Sequence, residues 1–286
     1  MIRTSGLLAL ALLLGACAPS TLLLNGAADR LAAQGTGDEE DPGLARDAAA
    51  FSLKLSESVL QQTPGHLRLA ESVAGGFTGY AWAFLAFEAD RAEARDVQAA
   101  QQLRQRAARM TARAQRHAMA ALEHRQPGFA RALARGQPLP LHDDEVGVAH
   151  WAATAWGAWI SLSKDQPDVV ADLPLAARLA RLAYERDPGH AQGALASLMG
   201  SFEAARPGGS LQRAEGYFDR AIVLSRGSVA AYVAKAEGHA LAGGDRSAFE
   251  QLLQQALKAQ PQARDLTAQV MRERARWLLQ TLDDRF

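Results

Sequence analysis

Three helix-length stretches of this sequence carry no Asp, Glu, Lys or Arg. Ser72 to Phe87 lies between Glu71 and Glu88, Val146 to Ser163 between Glu145 and Lys164, and Ala191 to Phe202 between His190 and Glu203. Each precedes a charged, amphipathic segment. A helix without a polar face must be covered by other chain on most sides. The sequence therefore calls for an architecture that holds apolar helices between amphipathic ones. Val, Ile and Thr are sparse, whereas Ala, Leu, Arg and Gln dominate. That mix favours helix over sheet, and the expected fold is all-α.

Prolines punctuate the helical segments. Leu44 to Gln62 stops before Pro64, Leu103 to His124 before Pro127, Pro174 to Arg186 before Pro188, and Phe249 to Ala259 before Pro261. Proline cannot continue a helix. A local pattern recurs in three segments: Ala176, Ala183 and Pro188; Ala214, Phe218, Ala221 and Arg226; Leu253, Ala256 and Pro261. This is the second-helix half of a tetratricopeptide repeat, in which alanines permit close packing. The repeats are degenerate and lack the full first-helix signature. Chance spacing in an alanine-rich chain is the competing explanation. The expectation is an α-α superhelix of such repeats over residues 44–286, with Arg206-Pro207-Gly208-Gly209 inserted between paired helices.

In a helical-repeat array the first helices of successive pairs line the concave side. Here that side would be apolar, aromatic and rich in small residues. Phe77, Tyr80, Trp82, Phe84, Trp151, Trp156 and Trp159 are the candidate lining of a cleft or pore. Along a helix Trp151 and Trp159 stand about 80° apart, with Trp156 about 60° beyond, which covers a broad face. The alternative is a helix buried all round in the core. Gly75, Gly76, Gly79 and Gly157 each weaken a helix by ~1 kcal/mol relative to Ala. Close approach of another helix or of a ligand would compensate.

The beginning of the chain reads differently. Arg3 precedes an apolar run from Leu7 to Leu14, then Gly15-Ala16-Cys17. A charged start, a short apolar core and small residues mark a secretory signal peptide over residues 1–16. Leu14-Gly15-Ala16-Cys17 resembles a bacterial lipobox, in which the cysteine is lipidated. Cys17 is the sole cysteine, so no intrachain disulfide can form. An acyl-bearing Cys17 would anchor the protein in a membrane, and Ala18, rather than aspartate, favours the outer one. Residues 17–43 then read as a short helix and an acidic tether, with the bulk in the periplasm.

Chemistry is sparse. Lys+Arg and Asp+Glu balance at 31 each, so nucleic acid is not an expected partner. None of the seven histidines forms a zinc-binding spacing. His142-Asp143-Asp144-Glu145 reads as the cap of the tryptophan-rich helix. The paired glycines lack the Lys-Ser/Thr of a phosphate loop. No catalytic residue, metal or cofactor beyond the lipid is expected, and the chain does not read as an enzyme.

Three segments together carry a resemblance: Asp41 to Phe51 with Leu53-Lys54-Leu55 and Glu57-Ser58; Trp156 to Lys164; and Arg274 to Leu279. In order and spacing they resemble the T component associated with tripartite ATP-independent periplasmic (TRAP) transporters. The resemblance implies a periplasmic tetratricopeptide-like lipoprotein that assembles as a homotrimer with a pore and apolar clefts. It further implies pairing with the transporter's substrate-binding protein and passage of a small hydrophobic ligand such as an organic acid. A lipoprotein scaffold for envelope assembly is the alternative; it would call for a polar groove.

Overall fold

The computed structural model describes residues 17–33, 41–259 and 266–286. Residues 1–16, expected to form a signal peptide, the acidic run Asp38 to Glu40 and Pro261 lie outside the described residues. Every regular element among the described residues is helical. Helix α1 is Cys17–Ala33, α2 Pro42–Gln62, and α3 Leu67–Tyr80. From α3 the chain runs without a break through a π-helical stretch, Ala81–Ala86, into α4, Phe87–Ala92. Helix α5 is Val97–Arg125, α6 Phe129–Ala134, α7 Val146–Leu162, α8 Pro167–Val170 and α9 Leu173–Arg186. Then follow α10, Ala194–Ala205; α11, Leu211–Leu224; α12, Val229–Lys235, with a second π-helical stretch, Ala236–Ala240; α13, Arg246–Lys258; and α14, Leu266–Gln280.

Local chemistry sets several helix starts. The side chains of Asp41, Asp96, Ser210, Ser228 and Asp245 each accept a hydrogen bond from a first-turn N–H and so satisfy an otherwise orphaned donor. His142 starts the turn before α7, its N–H donating to Glu145 Oε2 at 2.7 Å. The third uncharged segment begins later than its composition suggests. Residues His190–Gly193 form a 3-10 turn with Ala191 and Gln192 at positive φ, so α10 starts at Ala194. Gly193 is left-handed there, and a Cβ on it would meet the Ala221 backbone at 3.0 Å.

Consecutive long helices pack as hairpins: α3 on α5, α7 on α9, α10 on α11, α12 on α13. The alanine pattern sits at these crossings, with Ala176, Ala183, Ala214, Ala221 and Ala256 essentially inaccessible. The uncharged helices α3 and α7 also pack on one another, α7 touches α10, and α10 touches α12. One large core runs from α1 to α10, and a second joins α12, α13 and α14. The last helix returns to the beginning of the chain, where α14 packs on α2.

Candidate functional site

The return of α14 creates a cleft. Its floor is one face of α3, where Ser72, Gly75, Gly76 and Gly79 recur at helical spacing. Ala49, Ser52, Leu53 and Ser56 of α2 form one wall, Leu266, Thr267, Val270 and Met271 of α14 another, and Leu31 and Ala32 of α1 also contribute. The cleft measures about 790 Å³, in the range of small-molecule sites.

The glycines have different tasks. A Cβ on Gly75 would lie 2.9 Å from the Trp151 ring, and one on Gly76 would lie 2.4 Å from Leu53 Cδ2. These two let α7 and α2 approach. A Cβ on Gly79 meets nothing within 4 Å, so that glycine opens directly onto the cleft. Gly157 admits the Phe202 ring from α10, at 3.0 Å. Helix packing thus accounts for three of the four glycines, and open space for the fourth.

The π-helical stretch shapes one end. Tyr80, the last residue of α3, borders the cleft, and the wider turn that follows carries the face onward, so that Trp82, Ala83 and Phe84 border it too. Tyr80 and Phe84 meet edge to face at 5.3 Å. The opposite end is polar: Arg68 and Glu71 lie there. Burial pushes the Glu71 carboxyl above its usual range, against the opposing influence of His190 and Arg68. Its carboxylate sits over Gly147, where a Cβ would come within 2.3 Å.

Of the seven aromatic side chains proposed from sequence, Tyr80, Trp82, Phe84 and Trp151 line this cleft. The other three lie elsewhere. Phe77 is buried and turns toward α5, where the Arg113 guanidinium covers its ring at 5.1 Å and His117 stacks at 6.5 Å. Trp156 is buried in the core, and its Nε1 has no hydrogen-bond partner among the described residues. Trp159 lines a separate groove beside α5. The α2 and α14 walls were missed. The spacing of Ala49, Ser52 and Ser56, which matches the small-residue face of α3, was the signal for α2. Nothing local marks Val270 and Met271.

A hub behind the cleft fixes α14. Arg274, one turn beyond Val270 and Met271, donates to Glu237 Oε1 at 2.6 Å and Oε2 at 2.8 Å. It also donates to Asp90 Oδ2 at 3.1 Å. Its guanidinium lies 5.0 Å from the Trp82 ring centre, 5.3 Å from Phe87 and 5.7 Å from Trp277. Trp82 therefore touches the cleft with part of its surface and the hub with another.

Among the described residues no group of three His, Cys, Asp or Glu side chains is placed to hold a metal. No described helix is long and apolar enough to cross a membrane. His150 is buried against His190 at 5.2 Å, and burial, with a smaller contribution from His190, lowers its pKa to about 3. It is a neutral core residue at physiological pH.

Fold and site define an all-helical protein built around an apolar cleft with one polar end. The chain belongs to the TRAP transporter T-component family, whose model matches residues 38–286. Membership associates it with a TRAP transport system. It is also similar to an uncharacterised protein of Treponema pallidum (strain Nichols), at 25% identity over 263 residues, covering 87% of this chain and 81% of that protein.

Proposed function

We propose that this protein is a lipid-anchored periplasmic accessory component of a TRAP transport system. Its cleft receives a small hydrophobic or organic-acid ligand, and its surface docks the system's substrate-binding protein. The cleft is the observation that carries the reading. Arg68 and Trp82 stand 14 residues apart in one continuous helical run, which is about 21 Å at 1.5 Å per residue. An elongated acid would set its carboxylate near Arg68 and its apolar end against Tyr80, Trp82 and Phe84. An envelope-assembly scaffold would need a polar groove in place of this cleft, whereas apolar side chains and glycine make up most of its lining.

Several finer features belong to the same reading. The hairpins are degenerate tetratricopeptide-like repeats curling into a superhelix. Cys17 bears the acyl chains, and the anchor holds the domain at the outer membrane. Three copies assemble around a pore, and no catalysis is involved.

Gly79 tests the cleft without disturbing packing. Gly79→Leu fills space that is open in the native protein, and should weaken medium-chain carboxylate binding at least tenfold. The readout is the emission of Trp82 and Trp151, both of which border the cleft. Gly79→Ala should leave binding intact and stabilise the fold by up to about 1 kcal/mol, the helix-propensity difference. A wild-type emission that ignores octanoate and decanoate would sink the ligand reading, as would an unaltered affinity in Gly79→Leu.

A further inference from the structure

A second concavity, on the α5 side of the molecule, has a different chemistry. It measures about 850 Å³ and lies between α5 and the end of α7. Arg106, Arg109, Arg113 and Arg116 line its α5 side. Their spacing of three, four and three residues places them on one stripe of the helix. Trp159 and Leu162 form the opposing wall, and Asp165 is the single acid in the lining.

The stripe is unbalanced. Arg113 is neutralised by Glu57. Arg104, on the same helix but outside the groove, is held by Glu93 and Asp90. Arg106, Arg109 and Arg116 are exposed, and among the described residues no carboxylate lies within ion-pair distance of any of them. Like charges one helical turn apart destabilise an isolated helix by a few tenths of a kcal/mol per pair. The fold thus concentrates three unpaired guanidinium groups in one concave place, although the whole chain is neutral. Guanidinium groups bind carboxylates through paired hydrogen bonds, and arginine and tryptophan are the residue types over-represented where interfaces carry their energy.

We propose that this groove docks an acidic surface of a protein partner, with Arg106, Arg109 and Arg116 pairing its carboxylates and Trp159 packing against an apolar residue among them. Charge complementarity selects an acidic occupant. Concavity selects a protruding helix or loop over a flat bilayer. The cleft plays no part, since the two depressions share no lining residue. The partner used as probe, the substrate-binding protein of the TRAP system, rests on the function proposed above.

The experiment measures binding of that purified protein to the soluble chain lacking residues 1–17, at 50 and 300 mM NaCl. Arg106→Glu/Arg109→Glu/Arg116→Glu should weaken binding at least tenfold at low salt, and wild-type binding should itself weaken as salt rises. A control reversing the exposed Arg46, Arg95 and Arg276 alters net charge equally and should bind like wild type. Matching circular dichroism and Tm would show that both triple variants are folded. Equal binding by the groove variant and wild type overturns the proposal while leaving the transport reading intact. Failure of the wild-type chain to bind at all overturns both. Capture of the wild type, but not the groove variant, by phosphatidylglycerol vesicles without binding to the protein would assign the groove to a membrane surface and likewise overturn the proposal.

Discussion

Arg274→Ala should lower the unfolding free energy by about 3 kcal/mol, at the low end of what removing one member of a buried ion pair costs. The side chain is 12% exposed, and its partners Glu237 and Asp90 are 26% and 31% exposed. Water can therefore reach both carboxylates once the guanidinium is gone, which keeps the cost from the top of that range. Stacking on Trp82, Phe87 and Trp277 adds a further contribution, because a cation over an aromatic face gains ~0.5–2 kcal/mol depending on its desolvation. For a domain of this size ~3 kcal/mol corresponds to a fall in Tm of roughly 6–12 °C. Arg274→Lys keeps the charge but loses the fork that spans Glu237, and should fall between the two.

The same substitution has a functional reading. Arg274 continues the face of α14 that presents Val270 and Met271 to the cleft, and it braces Trp82 from behind. Its loss should therefore weaken carboxylate binding at temperatures where the variant remains folded. Thermal denaturation followed by ligand titration at 15 °C separates the two effects. A Tm within 2 °C of wild type would show that α14 is held by its apolar contacts alone. A destabilised variant with wild-type affinity would show that the hub supports the fold and not the cleft.

This hub marks the boundary of what the sequence discloses. Helix ends were legible because their causes are local: a proline that cannot be helical, or an aspartate or serine that caps the first turn. The uncharged segments were legible as helices covered on most sides for a similar reason, since that much burial imposes a composition. The π-helical stretches were not, because one inserted residue leaves composition and caps unchanged while rotating everything beyond it. That rotation brings Phe84 to the cleft beside Tyr80 and Trp82, while Phe77, on an earlier turn of α3, faces α5. The helical wheel likewise separated Trp151, Trp156 and Trp159 by angle. It gave no means of knowing that Gly75 stands opposite the first, the core opposite the second and an arginine groove opposite the third. Contacts such as Arg274 with Asp90, 184 residues apart, come from the return of α14, which no local pattern encodes.

Glu57→Gln is expected to cost about as much as the loss of Arg274, and to carry a pH signature that identifies its cause. Glu57 is 1% exposed on α2. Burial alone would raise its pKa. Hydrogen bonds from Arg113, Lys54 and His117 together outweigh that effect and hold the value at about 2, against an ordinary 4.5. Lys54 Nζ lies 2.6 Å from Oε2 and His117 Nε2 2.6 Å from Oε1, while Arg113 bridges both oxygens. Because the folded pKa lies below the unfolded one, the unfolded chain takes up the proton first as pH falls. The stability that Glu57 provides is therefore complete above about pH 4.5 and disappears as pH drops through about 2. A separation from 4.5 to about 2 is worth about 3 kcal/mol at neutral pH. The difference in stability between wild type and Glu57→Gln should be near that value at pH 7, shrink between pH 4.5 and 2, and close below pH 2. Taking the difference cancels other acids that also protonate in this range, among them Glu203, held near 2 by Arg206, the Ser210 N–H and Arg213 against the effect of burial. A gap that stays constant across the series would mean that shape rather than charge explains the loss. A gap that closes ties α2, and with it the Ser52 and Ser56 wall of the cleft, to α5 through one ionised carboxylate. That carboxylate also neutralises Arg113 in the middle of the arginine stripe, so the variant should bind an acidic partner at least as tightly as wild type while its fold is weaker.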